Sequence, residues 1–572
     1  MLILGLSPFE HDTAAALLRD GAVVAAIEND KLERSQTHGV PEKAIEYCLA
    51  KAGATWHELD AIAVATSPVQ GLMRRSTLPA KISLYSPLAF AYHGASELGG
   101  YVRDLGHFRA LRQNNGHSRD LRFEHHLCHA ANAYFLSPFE RSLIVTLDEE
   151  GDGSSVMVAM GEGNGIRVLR RVAFPHSPAW LYSQVTDLLG FKPHQDEHKT
   201  QWLSLGGEPS HKGSFLEMLR PRGKHLPRLD GQYFTPGLHG RPAFSPKFYN
   251  KLQAPVDRAQ MGDDQRRDLA SSLQHAMADL VVELVDHFRD QENVSTVCLA
   301  GGLMFNTLLV AVLEQRLGMN EVFVPPAPGN AGCAIGAAML AWHQTWGKPR
   351  EERDQALYSG PAFNRSEIKE VLDNCKVRYS LQTTEDRKLE AALQLLEAGK
   401  IVGWYQGATE FGPRSLGNRS ILASPWAAYV RENLNDFIKH REWFRPFALA
   451  VAEEEADRYF ECSKLCRSMS SLGRVKPEAA EQFKDFTLPG NLVRLHVVAK
   501  QDNPHFWRLL RRFGEHAPAP VLVNTSFNLF GEPMVVRPRD AVRSYFCSGI
   551  DALVIDNFVL AKAGAIQARM AS

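Results

Sequence analysis

One order of strands and turns occurs twice in this chain, about 140 residues apart. Residues 2–7 (LILGLS) read as a buried strand, and a polar turn carrying His11 and Asp12 follows. Residues 13–18 (TAAALL) and 22–28 (AVVAAIE) read as two more strands, joined by the hairpin turn Arg19-Asp20-Gly21. The second copy starts with strand 142–148 (SLIVTLD) and an acidic turn, Glu149 to Gly153. Strand 154–160 (SSVMVAM), a glycine-rich turn at 161–165 and strand 166–174 complete it. Two unrelated hairpins would also give this pattern; a duplication explains it with one unit.

A repeated strand, acidic turn, strand, glycine turn, strand unit points to an α/β fold of the actin-like (sugar kinase/Hsp70-type) kind. In that fold the first hairpin of each copy faces a nucleotide. Residues 265–290 then carry apolar side chains at helical spacing, and 295–300 (STVCLA) read as a short buried strand. That strand runs into Gly301-Gly302 and a helical pattern. Strand, glycine pair, helix is the layout of a phosphate-binding turn, and equally of a plain tight turn. Small residues recur at 328–338 (PGNAGCAIGAA). The polar stretch 346–358 is the best linker, which divides the chain into a domain over 1–350 and a second over 359–572.

Lysine and arginine total 64 against 65 aspartates and glutamates, so there is no general attraction to nucleic acid or an anionic membrane. No apolar run reaches the roughly 18 residues of a membrane helix. The N-terminus reads as no leader, and the eight scattered cysteines form no Cys-x-x-Cys pair; a cytoplasmic protein without a disulfide framework is expected.

Three groups of residues carry chemistry. His125 and His129 lie four apart in EHHLCHAANAYF, so a helix would put both imidazoles on one face, where they suit one metal ion. Asp148, at a strand end, is a candidate carboxylate ligand. An ordinary buried helix fits the same spacing, and His194 and His198 repeat it. His11-Asp12 at the mouth of the first hairpin are acid/base candidates, or simply turn residues. The C-terminal half holds the strongest signal. Arg414 and Arg419 sit in EFGPRSLGNRS, after strand 400–405 and the helix 386–399; Lys439, Arg441 and Arg445 follow among aromatics. Arg494 reads as a strand residue, and Ser526 lies in the polar turn NTSFN. Guanidinium groups in short Gly/Pro-controlled loops suit a small anion better than a nucleic-acid stripe.

Taken in order, these motifs resemble the NodU/CmcH-type O-carbamoyltransferases. The segments are HDTAAALL (11–18), HHLCHAANAYF (125–135), EHKTQWLSLGG (197–207), AGGLMFN (300–306), EFGPRSLGNRS (410–420), NDFIKHREWFRPFA (435–448) and VNTSFNLFGEP (523–533). The resemblance covers nearly all 572 residues. It implies an actin-like transfer domain followed by a YrdC-like α/β domain. The YrdC-like domain would cleave carbamoyl phosphate to carbamate, which attacks ATP, with Mg²⁺, to give carbamoyl adenylate and pyrophosphate. A hydroxyl of a small-molecule acceptor, a natural product or a sugar, would then take the carbamoyl group.

By motif, the resemblance implies carbamoyl-phosphate contacts at Arg414, Lys439, Arg445, Arg494 and Ser526. It places His11, with Asp12, beside the acceptor hydroxyl and makes Lys199, Gly301, Gly302 and Asn306 the nucleotide site. His125, His129 and Asp148 would hold a divalent metal, Fe²⁺ or another, and a homodimer is implied. Three departures stand out. Asn330 occupies the usual position of a fourth, carboxylate ligand and is a weaker donor. His198-Lys199-Thr200-Gln201 replaces Gly-Lys-x-Met, and Arg414-Ser415-Leu416-Gly417 replaces Arg-Ala-Leu-Gly. A nucleotide-binding scaffold without turnover, a carbamoyl-type transferase acting on nucleic acid, and a plain sugar kinase are the competing readings. The last leaves the second domain unexplained. Segments 66–116 and 208–260 match no motif and are expected to shape the acceptor pocket.

Overall fold

Apolar, β-branched runs ending in Gly or Asp turns make the strands of the first half. The computed structural model describes residues 1–8, 12–67, 118–220, 225–236, 242–350 and 356–562. The chain divides into two compact units, Met1–Asn29 with Thr37–Gln355, and Asp30–Gln36 with Ala356–Ser572.

The first unit contains the duplication. Strands β1 (Leu2–Ser7), β2 (Ala14–Arg19), β3 (Ala22–Glu28), β4 (Ala61–Val64) and β5 (Arg119–Arg122) form a sheet of order β3-β2-β1-β4-β5. Strands β6 (Arg141–Gly151), β7 (Ser154–Glu162) and β8 (Gly165–Ala173) belong to the second sheet. After a small hairpin, β9 (Phe234–Pro236) and β10 (Pro242–Phe244), that sheet is completed by β11 (Val297–Ala300) and β12 (Val322–Phe323), in the order β12-β11-β6-β7-β8. Both sheets have antiparallel hairpin strands on one side of the leading strand and parallel strands on the other. The repeat in the sequence is therefore a repeat in topology, the duplicated actin-like arrangement.

The helices His125–Leu136 and Gly332–Leu340 pack directly on each other. A Cβ on Gly336 would lie 1.9 Å from the Cys128 carbonyl, so only glycine permits this approach. The long helix Asp263–Glu292 covers the predicted 265–290 segment. Segment 208–260, read as irregular, contains the helices Lys212–Leu219 and Pro246–Leu252 and the β9–β10 hairpin. Segment 66–116 lies outside the described residues except for Thr66 and Ser67.

The second unit is a three-layer α/β sandwich, in keeping with the YrdC-like fold implied by the resemblance. Its strands are β13 (Ser380–Leu381), β14 (Val402–Tyr405), β15 (Arg419–Ala423), β16 (Ala448–Ala452), β17 (Phe460–Glu461), β18 (Gly473–Val475), β19 (Leu492–Val493), β20 (Leu495–Val498), β21 (Val521–Ser526), β22 (Ala552–Ile555) and β23 (Phe558–Ala561). Eight of them form one mixed sheet of order β13-β23-β22-β14-β15-β21-β16-β20. Alternating residues face opposite cores. Tyr405, Ile421, Leu449 and Val523 pack with the helices Arg365–Asn374 and Pro538–Phe546. Trp404, Leu422, Ala450 and Leu522 pack with Glu385–Glu397 and Pro504–His516. The sheet is thus buried on both faces.

Candidate functional sites in the two units

In the first unit, His125 and His129 open the helix His125–Leu136 and are buried. The Nε2 atoms of the two rings lie 3.0 Å apart, and both face Asp148 Oδ2, at 3.3 Å and 2.8 Å. Asp148 ends the regular pairing of β6, and its other oxygen accepts backbone N–H groups from Glu149 and Gly302. Burial alone would raise this carboxyl; hydrogen bonds from the two histidines outweigh it and hold Asp148 well below the ordinary carboxylate range. Burial lowers His129, which favours the neutral imidazole a metal requires. Cys333 joins them: its Sγ and one ligand atom of each histidine lie within 4.8 Å of one another. Two imidazoles, a carboxylate and a thiol fit a borderline divalent cation.

The neighbouring histidine is different. His126 is spent on Thr146 Oγ1 (2.7 Å) and the Ser154 carbonyl (3.1 Å), and burial pushes it down to about 3. His194 and His198, the second pair at this spacing, do not converge: one faces Glu149 Oε2 at 2.9 Å, the other the Gln195 carbonyl at 3.1 Å. The acidic turn also has a structural use. Asp152 accepts the His125 backbone N–H at 2.8 Å and so caps the N-terminus of the histidine helix.

The expected nucleotide residues are placed apart in role. Gly301 has φ +97°, and a Cβ there would lie 2.2 Å from the Leu147 carbonyl; the glycine pair lets the turn after β11 close onto β6. Gly302 N–H points to Asp148 Oδ1 at 3.3 Å, which joins this turn to the histidine cluster. Asn306 caps the helix Thr307–Leu317 and exchanges hydrogen bonds with Gln274. Lys199 sits 3.2 Å from Asp196 and over the Phe191 ring. Asn330 is buried, and its carbonyl accepts the Cys333 N–H. His11 lies outside the described residues; Asp12, beside it, has left-handed backbone with φ +58°.

In the second unit, the cations gather. Arg414, half-buried, is drawn down to about 10 by burial and by Arg445. Arg441 is drawn down to about 9 by burial first, then Arg445. Arg494 falls well below its ordinary value through burial and through Arg414, Arg441 and Arg445, and its Nε is buried without a hydrogen-bond partner. It lies between β19 and β20, not within the strand the sequence pattern predicts, because the chain breaks its pairing there. Four guanidinium groups therefore lie close together, with the Glu442 carboxylate 3.7 Å from Arg445, a grouping of the kind that suits an anion.

Lys439 lies in a π-helical turn, Asn435–Lys439, and is buried. Its ammonium donates to the Ser526 carbonyl and hydroxyl and to the Asn528 carbonyl and side-chain oxygen. It holds the Ser526–Asn528 turn as well as adding charge. The Arg414 loop is shaped by a residue with no expected role. Glu410 is fully buried, and its Oε1 accepts the N–H groups of Leu416, Asn418 and Arg419 at 2.8, 2.9 and 3.1 Å. Arg419, which opens β15, is structural: it stacks on Tyr405 at 3.7 Å and donates to the carbonyls of Gln406, Gly407, Asn418 and Pro361.

Two family descriptions match this chain: Carbamoyltransferase N-terminus over residues 2–82 and 110–339, and Carbamoyltransferase C-terminus over 393–562. The chain belongs to the carbamoyltransferase family. It is a transferase. Among similar proteins, an uncharacterized protein of Synechocystis sp. is 32% identical over 98% of this chain and 96% of its own length. Nodulation protein NolNO of Sinorhizobium fredii is 31% identical over 97% of this chain and 79% of its own. The 3'-hydroxymethylcephem-O-carbamoyltransferase of Amycolatopsis lactamdurans is 32% identical over 46% and 48%. A distant likeness among solved structures runs to component A of Acidaminococcus fermentans (R)-2-hydroxyglutaryl-CoA dehydratase, at 14% identity over 60% of this chain and 99% of that one, with TM-score 0.35. Among the described residues of this carbamoyltransferase, no helix is long and apolar enough to cross a membrane.

Proposed function

We propose that this carbamoyltransferase is an ATP-dependent O-carbamoyltransferase acting on a small-molecule hydroxyl. The observation that carries the reading is the cation cluster of the second unit. Arg414, Arg441 and Arg494 are each lowered by burial and by Arg445 nearby, and Lys439 stands beside Ser526. Planar guanidinium groups clamp the phosphoryl oxygens of carbamoyl phosphate, and the Ser526 hydroxyl adds a neutral contact. Cleavage of the C–O–P bridge by water releases phosphate and carbamate. The carbamate oxygen attacks the α-phosphate of ATP, pyrophosphate leaves, and carbamoyl adenylate forms. The cations offset charge on the departing phosphates, as phosphoryl transfer requires.

The second half-reaction is assigned to the first unit. The acceptor hydroxyl adds to the carbamoyl carbon, its proton passes to His11, and AMP leaves with the C–O electron pair. His125, His129, Asp148 and Cys333 would hold a divalent metal, Fe²⁺ or another. When bound, such an ion supplies Lewis acidity toward an adenylate or carbonyl oxygen. Lys199 supplies a cation for the adenylate phosphate, and the side-chain-free Gly301-Gly302 turn leaves room for close approach of the nucleotide. The name of the 3'-hydroxymethylcephem-O-carbamoyltransferase supports a hydroxyl acceptor on a small molecule.

Purified protein is mixed with labelled carbamoyl phosphate, ATP, Mg²⁺ and Fe²⁺, without an acceptor. The expected result is pyrophosphate and carbamoyl adenylate, both strongly reduced in Arg414→Ala at subsaturating carbamoyl phosphate. No adenylate under any divalent metal overturns the reading.

A further inference from the structure

The segment Asp30–Gln36 follows directly on β3, yet it groups with the second unit. Two of its side chains explain why. Lys31 is buried, and its ammonium donates to the carbonyls of Glu410 and Gly412, at 2.9 and 2.7 Å. These two residues lead into Arg414, and the Glu410 side chain fixes the amides that follow it. Arg34 donates to the carbonyls of Pro533 and Met534 and pairs with Glu532 Oε2 at 2.9 Å. The Glu532 carbonyl in turn accepts from the Asn528 side chain, whose oxygens hold Lys439 and the Ser526 hydroxyl. One short segment therefore anchors two of the loops that carry expected anion contacts, those of Arg414 and Ser526.

We infer that Lys31 and Arg34 are positioning residues of the carbamoyl-phosphate site, Lys31 for the Arg414 loop and Arg34 for the Ser526–Asn528 turn. Neither needs to touch the ligand. A buried ammonium holding two carbonyls removes freedom from a loop whose guanidinium must meet a phosphoryl group in one geometry. Lysine suits this position because its compact cation can bridge two oxygens of one turn, and burial makes those charge-assisted bonds stronger than at the surface. The inference rests on the functional reading above for the identity of the anion. The anchoring contacts themselves do not depend on it.

Lys31→Met and Arg34→Gln are compared with Lys31→Arg and Arg34→Lys in full-length protein, after circular dichroism and thermal unfolding establish that each is folded. Pyrophosphate release is measured against carbamoyl phosphate and against ATP. The expected result for Lys31→Met is a KM for carbamoyl phosphate raised about tenfold or more. The KM for ATP should stay within about twofold, and Lys31→Arg should recover most of the loss. Equal rises for both substrates, or no rise, overturn the inference.

Should wild type show no carbamoyl-phosphate-dependent turnover, the functional reading fails and amide exchange decides this one. Faster exchange at Leu416, Asn418 and Arg419 in Lys31→Met, with the rest of the second unit unchanged, sustains positioning. Unchanged exchange there removes it. If Lys31→Met does not fold, Arg34→Gln carries the same test through exchange at Phe527, Asn528 and Val535.

Discussion

His129 Nε2 stands 2.8 Å from Asp148 Oδ2 and 3.0 Å from His125 Nε2, so three donor atoms of the first unit converge on one point. Protons alone serve this cluster poorly, because burial opposes charge on His129 while Asp148 stays ionised. A divalent cation would satisfy all three. His129→Ala is expected to lose most bound metal by elemental analysis after loading with Fe²⁺ or Co²⁺. Cys333→Ser should keep the Co²⁺ but lose any sulfur-to-cobalt charge-transfer band in the near ultraviolet. If His129→Ala retains a full complement of metal, the cluster is not the metal site.

Arg414 and Arg419 lie five positions apart, one in the loop and the other opening β15; Arg419 is structural, and Arg414 is the one we propose for the anion. Arg414→Ala should raise the KM for carbamoyl phosphate about tenfold to a hundredfold, with the unfolding midpoint nearly unchanged. Arg419→Ala should destabilise the second unit by at least about 3 kcal/mol, since it removes the guanidinium donor from the Gln406 and Gly407 carbonyls and the stacking partner of Tyr405 from a buried space. Chemical denaturation followed by steady-state kinetics separates the two. Equal effects on stability would refute the division.

These cases show what a sequence can and cannot reveal here. The duplicated sheet order was legible because each β-strand run is bounded by its own turn residues. The i,i+4 histidines were legible because helix geometry alone puts them on one face. Arg414 and Arg419 look alike in sequence; only the Tyr405 ring and the carbonyls beneath Arg419 distinguish them. Cys333 reads as a core cysteine, and its approach to His125 depends on Gly336 packing against Cys128 in a distant helix. Lys31 and Glu410 are nearly 400 residues apart in sequence, so no local pattern could pair them.

Glu410 should be the least replaceable residue of the anion loop. Its Oε1 is the shared acceptor of three buried N–H groups. Glu410→Ala leaves all three without a partner and is expected to cost roughly 3 kcal/mol or more. Glu410→Gln keeps an acceptor oxygen in place and should cost about 1 kcal/mol. Denaturant titration of both variants checks this, with amide exchange at Leu416 rising in the alanine variant. Equal, small losses would mean that the loop holds its shape without the carboxylate.

The pH dependence of stability has a definite sign at Glu385. This residue starts the helix Glu385–Glu397; His505 Nδ1 lies 2.8 Å from its Oε1, and Lys388 Nζ lies 2.8 Å from its Oε2. The hydrogen bond from His505 outweighs the effect of burial and, with Lys388, lowers Glu385 from 4.5 to about 2. A carboxyl whose folded pKa is below its unfolded one stabilises the fold fully above the unfolded value. That contribution disappears as pH falls from about 4.5 toward 2, where the folded state is also protonated. Glu385→Gln should therefore have a lower denaturation midpoint than wild type at neutral pH, with the two curves converging as pH approaches 2. His505 sits on the neighbouring helix Pro504–His516, so the pair ties together two helices that pack on one face of the sheet. A difference that stays constant down to low pH would mean that Glu385 acts through packing, not through its charge.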